Sequence, residues 1–136
     1  MKYYKLFHAD GSTLHGRPAW GTRWQPPVKG PLVACSNGYH VCTDTQVPDW
    51  LGVGSVVWEV EVKGRVLDAG DKTVVRTARL VRKVGTFDTT AWKAYDEACA
   101  TAWKAYHEAY SEACATAWKA YYEARATAWK AALSCR

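Results

Sequence analysis

Residues 88–136 read DTTAWKAYDEACATAWKAYHEAYSEACATAWKAYYEARATAWKAALSCR. Thr-Ala-Trp-Lys-Ala recurs at 90–94, 101–105, 116–120 and 127–131, so the Trp residues stand eleven, fifteen and eleven apart. Eleven residues make three helical turns, and the extra four at 107–110 (His-Glu-Ala-Tyr) add about one more turn, which keeps the apolar face in phase. The stretch holds neither Gly nor Pro and is rich in Ala, a composition that favours helix intrinsically. Asp88 is placed to cap it, with Phe87 and Trp92 as a hydrophobic staple. The expectation is one long amphipathic C-terminal helix over 86–136, of which the stretch from 88 to about 132 would run about 66 Å at about 1.5 Å per residue.

Its stripe consists of Trp92, Tyr95, Cys99, Trp103, Tyr106, Tyr110, Cys114, Trp118, Tyr121 and Trp129. Four Trp and five Tyr, each with about 150–250 Å² to bury, exceed what a soluble monomer leaves exposed. Self-association through these residues, into a homo-oligomer, multi-helix bundle or larger particle, is therefore expected. The stripe rotates by about 100° along the helix, which suits several partners better than a two-stranded zipper. A hairpin broken around the insertion and packed back on the rest of the chain is the alternative.

Upstream, composition changes abruptly. All ten Gly and all five Pro precede residue 86, which marks off a β-rich globular head at 1–85. The fold class is thus α+β, a small β-rich head followed by the helix. Residues 55–63 (SVVWEVEVK) are the clearest strand, with Trp58, Val60 and Val62 on one face and Glu59 and Glu61 on the other. Further strands are expected at Lys2–His8, within Thr73–Val84, and at Pro31–Cys35 and Tyr39–Thr43 around an Asn37-Gly38 turn, five or six in all. Helix in the head is confined to Gln46–Leu51. Trp20 and Trp24, in a turn-rich segment, are expected to fold back over the core.

The net charge of +5 belongs to the head. Residues 1–87 carry twelve Lys/Arg against seven Asp/Glu, and residues 88–136 carry six of each. Arg76, Arg79, Arg82 and Lys83 concentrate that surplus and could contact nucleic-acid phosphates, with Trp20 or Trp24 stacking on bases. Cys35, His40 and Cys42 are candidate metal ligands, with His8 or His15 as a fourth donor. No cofactor is expected, and no motif fixes a reaction. The chain shows no apolar run long enough to span a membrane and no signal-peptide core, so the expected location is a host cytoplasm or a virion.

Gly38-Tyr39-His40-Val41-Cys42, Val47-Pro48-Asp49, Glu59-Val60-Glu61-Val62-Lys63-Gly64 and Asp71-Lys72 resemble a family of uncharacterised domains found in actinobacterial phages and bacterial genomes. The resemblance covers about residues 1–84 and implies a phage or prophage origin without an activity. A second likeness, to small ADP-ribosyltransferase folds, lies in Lys5-Leu6-Phe7-His8, Gly38-Tyr39 and the Val-rich strand bearing Glu. It implies His8 against the nicotinamide ribose, Tyr39 as a stacking partner, and Glu59 or Glu61 as catalytic acid. His8 is followed by Ala-Asp-Gly where that fold carries Gly-Ser/Thr. Assembly and NAD chemistry are the two functional expectations.

Overall fold

A computed structural model describes residues 1–14, 16–109 and 114–134, without the side chains of residues 114 and 115. The strands are β1 (Tyr3–Phe7), β2 (Tyr39–Val41), β3 (Ser55–Asp68) and β4 (Thr73–Phe87), and the helices are α1 (Thr89–Ala109) and α2 (Cys114–Ser134). A 3-10 turn covers Val47–Asp49. The sheet order is β1-β3-β4-β2, every pair antiparallel. Its two edges meet where Tyr4 and Cys42 exchange backbone hydrogen bonds at 2.7 and 2.8 Å, so the sheet curls back on itself.

β3 and β4 dominate because their residues are β-branched and alternate. Three register irregularities, at Val57/Trp58, Glu59/Val60 and Lys63/Val66, add the local twist that curling needs. Glu59 lies opposite Arg82 and Glu61 opposite Arg79, and both pairs form ion pairs on the solvent side. One face of the sheet holds Phe7, Val41, Val60, Val75, Ala78 and Leu80, with Trp58 and Val62 packed against them. Trp20 lies over that face, edge-on to Phe7 and Tyr39. The covering segment is tied down by Gln25 N to Ala78 O, Val28 N to Arg76 O and a short bond from Thr77 Oγ1 to Gln25 O.

The expected strand at Pro31–Cys35 does not form. That segment closes a tight turn through the Val33–Asn37 bridge, and the Asn37 amide donates to the carbonyls of Lys29 and Pro31. Tyr39–Val41 pairs with β4 instead. Gly38 is required at this point. Its φ is +131°, and a Cβ there would stand 2.4 Å from Val74 Cγ1. The described residues therefore hold four strands, two of them long, in place of five or six short ones.

The single long helix is overturned. Two 21-residue helices, each about 30 Å long, run antiparallel as a hairpin against the other face of the sheet. They form a pair within one chain, and no bundle results. The physical reason is burial. A continuous helix would carry Trp129 far from the head, whereas folding back brings it to 0% exposure beside Tyr4, Phe87, Ala91 and Tyr95. The Trp129 ring stands edge-on to Tyr4 at 5.2 Å, and its Nε1–H donates to Asp44 O at 2.9 Å. The start of α1 follows expectation. Asp88 Oδ1 accepts from Ala91 N at 2.9 Å, and Phe87 meets Trp92 edge-on at 5.8 Å.

Replacing Trp129 by Ala removes the largest fully buried side chain and should cost about 3–5 kcal/mol. Trp103→Ala, at a site 45% exposed, should cost about 1 kcal/mol or less. Urea unfolding followed by circular dichroism checks both, and equal losses at the two sites would contradict the packing described.

Candidate functional site

The two helices meet repeat against repeat. In the unit Thr-Ala-Trp-Lys-Ala-Tyr, the Trp of one helix reaches the Tyr of the other. Trp103 packs on Tyr121 at 5.2 Å, and Trp118 packs on Tyr106 at 5.5 Å. These contacts are reciprocal, as if related by a local two-fold axis. Trp103 also stacks on Tyr106 and meets His107 edge-on, and Trp118 meets Tyr122 edge-on. The six rings form one continuous cluster at the end of the hairpin away from the sheet.

The repeat thus splits into two parts. Tyr95 and Trp129 are spent on the internal core, with Trp92 and Cys99 packed beside them. Trp103 and Trp118 are 45% and 46% exposed, and they are neighbours through Tyr106. Tyr110 and the Cys114 side chain lie outside the described residues. Three polar contacts set the angle of the hairpin. Arg125 Nη2 pairs with Asp49 Oδ1 at 3.2 Å, and Lys130 Nζ pairs with Asp44 Oδ2 at 2.8 Å. The Arg125 guanidinium also bonds Tyr95 and lies over the Tyr122 ring. Burial pushes the Tyr95 phenol up to about 12, so it stays neutral and its oxygen accepts from the Arg125 guanidinium.

The remaining candidates are scattered. His8 is exposed just beyond the end of β1, whereas Glu59 lies opposite Tyr4, about four residues or ~13 Å further along the pair. Glu59 is paired with Lys2 and Arg82, Glu61 with Arg79, and the Tyr39 hydroxyl donates to Pro26 O. The residues of the NAD reading are not brought together. Arg76 donates to the carbonyls of Val28 and Gly30. Arg79 lies over Trp24, as does Lys63, while Trp20 faces the core. The guanidiniums of the nucleic-acid set are therefore engaged within the head, and exposed Lys83 stands on the same strand.

His40 and Cys42 line one small cavity. Cys35, in a left-handed conformation, uses its N–H to donate to His40 Nε2 at 3.0 Å. That bond occupies one of the two imidazole nitrogens. Among the described residues no group of three or more His, Cys, Asp or Glu is placed to hold a metal, and His15 lies outside them. No helix among the described residues is long and apolar enough to cross a membrane.

The same cavity contains two residues that sequence reasoning missed, Lys5 and Lys72, with Leu6, Leu14 and Trp50. The signal was present. Tyr3, Lys5 and Phe7 alternate onto one face of β1, which puts a lysine in an apolar row. Burial pushes the Lys5 ammonium down from 10.5 to about 8 and the Cys42 thiol up from 9.0 to about 12. Comparison with protein families, with curated proteins and with solved structures finds no match for this chain.

The Lys5 shift has a definite sign. Between pH 8 and 10.5 the unfolded chain binds the proton that the folded chain has lost, so stability rises with pH. Above about pH 9 the Cys42 shift acts in the opposite sense. Unfolding free energy should therefore rise by on the order of 1 kcal/mol from pH 8 to pH 9. Lys5→Met should abolish that rise, which urea titrations at the two pH values would measure.

Proposed function

We propose that this protein acts by association, and that the aromatic end of its helical hairpin is the surface that binds a second copy of the chain. The observation that carries this reading is the pair of half-exposed, adjacent Trp side chains, Trp103 and Trp118. Two further features favour a second copy. The hairpin seam already joins one repeat to another through reciprocal Trp–Tyr contacts, so the exposed remainder presents chemistry complementary to itself. Residues 88–136 also carry equal numbers of acidic and basic side chains, so two copies meet without net repulsion.

Magnitude limits the strength of that contact. About 45% of two Trp side chains is roughly 200 Å², enough for the centre of an interface but well below the roughly 800 Å² per partner of a standard one. Association in the micromolar range is the consistent expectation, strengthened where many copies are held together. The likeness of residues 1–84 to phage-borne domains supports such a setting, a phage particle or scaffold in which the head is displayed and the hairpin makes contacts.

Sedimentation velocity over about 1–100 µM tests the reading. The expected result is a concentration-dependent shift to dimer or higher species. Trp103→Ala with Trp118→Ala should raise the dissociation constant at least about tenfold, with circular dichroism unchanged. A wild-type chain that stays monomeric at about 100 µM, or a double variant that associates equally well, would remove the proposal.

A further inference from the structure

The β3–β4 ladder changes character at Lys63. Up to Glu61 its solvent-side pairs are matched in charge, Glu59 opposite Arg82 and Glu61 opposite Arg79. Beyond it the register passes from Lys63 opposite Thr77 to Val66 opposite Val75, so Gly64 and Arg65 together oppose Arg76. This is a bulge, and Gly64 supplies its left-handed residue with a φ of +81°. The bulge sets two arginines across from one another, an arrangement in which like charges are destabilising. Among the described residues no carboxylate lies within ion-pair distance of either arginine or of Lys63.

The segment running along β4 adds charge at the same end. Gln25 N donates to Ala78 O and Val28 N to Arg76 O, which brings Arg23 and Lys29 alongside the bulge. Arg76 Nη1 donates to the carbonyls of Val28 and Gly30, bonds that hold the guanidinium and leave its charge uncompensated. Lys63 Nζ stands 4.1 Å, and Arg79 Cζ 5.0 Å, from the centre of the Trp24 ring. Residues 21–30, 61–66 and 75–79 hold six Lys/Arg and one Asp/Glu, while the rest of the chain holds twelve of each. The whole net charge of +5 therefore stands on one patch, where Arg23, Lys29, Lys63 and Arg65 are exposed. Two interstrand spacings by the run from Glu61 to Arg65 make that patch roughly 10 by 13 Å.

We propose that the bulged, basic end of the β3–β4 ladder binds the sugar–phosphate backbone of nucleic acid, with one phosphate shared by Arg65 and Arg76. Four of the six cations are Arg, whose planar fork matches phosphate oxygens. An anion between the two opposed guanidiniums relieves the repulsion that the bulge creates. Arg76 is held by two carbonyls, and Lys63 and Arg79 by one indole. Cations fixed in this way suit phosphates at regular intervals, whereas a fluid lipid surface requires only net charge. Binding is indifferent to base sequence. The Trp24 ring is engaged by two cations and Trp20 packs on the core, so neither is offered to a base.

Fluorescence anisotropy with the full chain tests this, using labelled single strands of about 20 nucleotides and duplexes of about 20 base pairs. Between about 50 and 200 mM salt, the log–log slope of the association constant should be about −2 to −3.5 on single strands. On duplexes it should be about −3 to −4.5, the values for three to five neutralised phosphates. Thymine homopolymer and mixed-sequence strands should differ by less than about threefold. Lys63→Gln with Arg65→Gln should weaken binding at least about tenfold and flatten the single-strand slope by about 1.4, with circular dichroism unchanged. Lys93→Gln with Lys104→Gln removes equal charge from exposed sites on α1 and should change affinity by less than about twofold. Vesicles of phosphatidylcholine with about 30% phosphatidylserine offer a competing polyanion. No binding to either oligonucleotide at about 50 mM salt, equal losses in the two double variants, or binding to vesicles alone would overturn the proposal.

Discussion

The burial of Trp129 is the constraint on which the rest of the structure depends. Its indole has no exposed surface, and its one polar atom is satisfied by the Asp44 carbonyl. Full burial of a Trp with its N–H paired is among the largest single contributions a small core can gain. Reaching that position requires α2 to return along α1, and that return creates the hairpin. It also requires the segment before Val47 to be held still. Gln46 does this from a nearly buried position. Its side chain accepts from Thr43 N and Thr73 Oγ1 and donates to Gly70 O. One glutamine thereby links the 3-10 turn to the β3–β4 turn, and the Asp44 carbonyl that receives the indole sits on the supported segment.

How much of this could be read from the sequence depended on whether the deciding contact was local. The cap at Asp88 and the staple of Phe87 on Trp92 involve residues within five positions of each other, and both occur as the pattern implied. The alternation in Ser55–Lys63 likewise placed Trp58, Val60 and Val62 on one face. The hairpin was not legible in the same way. A four-residue insertion advances a helix by about one turn, so the periodicity of a continuous helix and that of a folded-back pair are the same. What separates them is the contact of Trp129 with Tyr4 and Asp44, more than eighty residues away. No helical wheel contains that information.

The candidate sites divide along the same line. Cys35, His40 and Cys42 are close in sequence and invite a shared role, yet strand pairing sends Cys42 to one face and leaves Cys35 exposed on a turn. Glu59 and Glu61 look like paired acids, but each stands directly opposite an arginine across the β3–β4 ladder, which accounts for both. Lys5 attracts no notice in a basic head. Its environment is set by Trp20, His40 and Cys42, residues of two separate segments, and only the closed sheet edge brings them together.

The four copies of Thr-Ala-Trp-Lys-Ala show most directly why a repeat does not carry one function. Trp129 and Trp118 have the same five-residue context, yet one is fully buried and the other is 46% exposed. The difference lies in what stands opposite. Near the sheet, each helix meets Tyr4, Phe87 and Val57, and the indole completes an interior. At the far end, each helix meets only the other helix, and two helices cannot enclose a ring on all sides. A repeat laid along a hairpin longer than the sheet beneath it must therefore grade from core to surface. The aromatic end is a consequence of that length mismatch: the hairpin continues past its support, and it keeps Trp and Tyr where solubility alone would favour polar side chains.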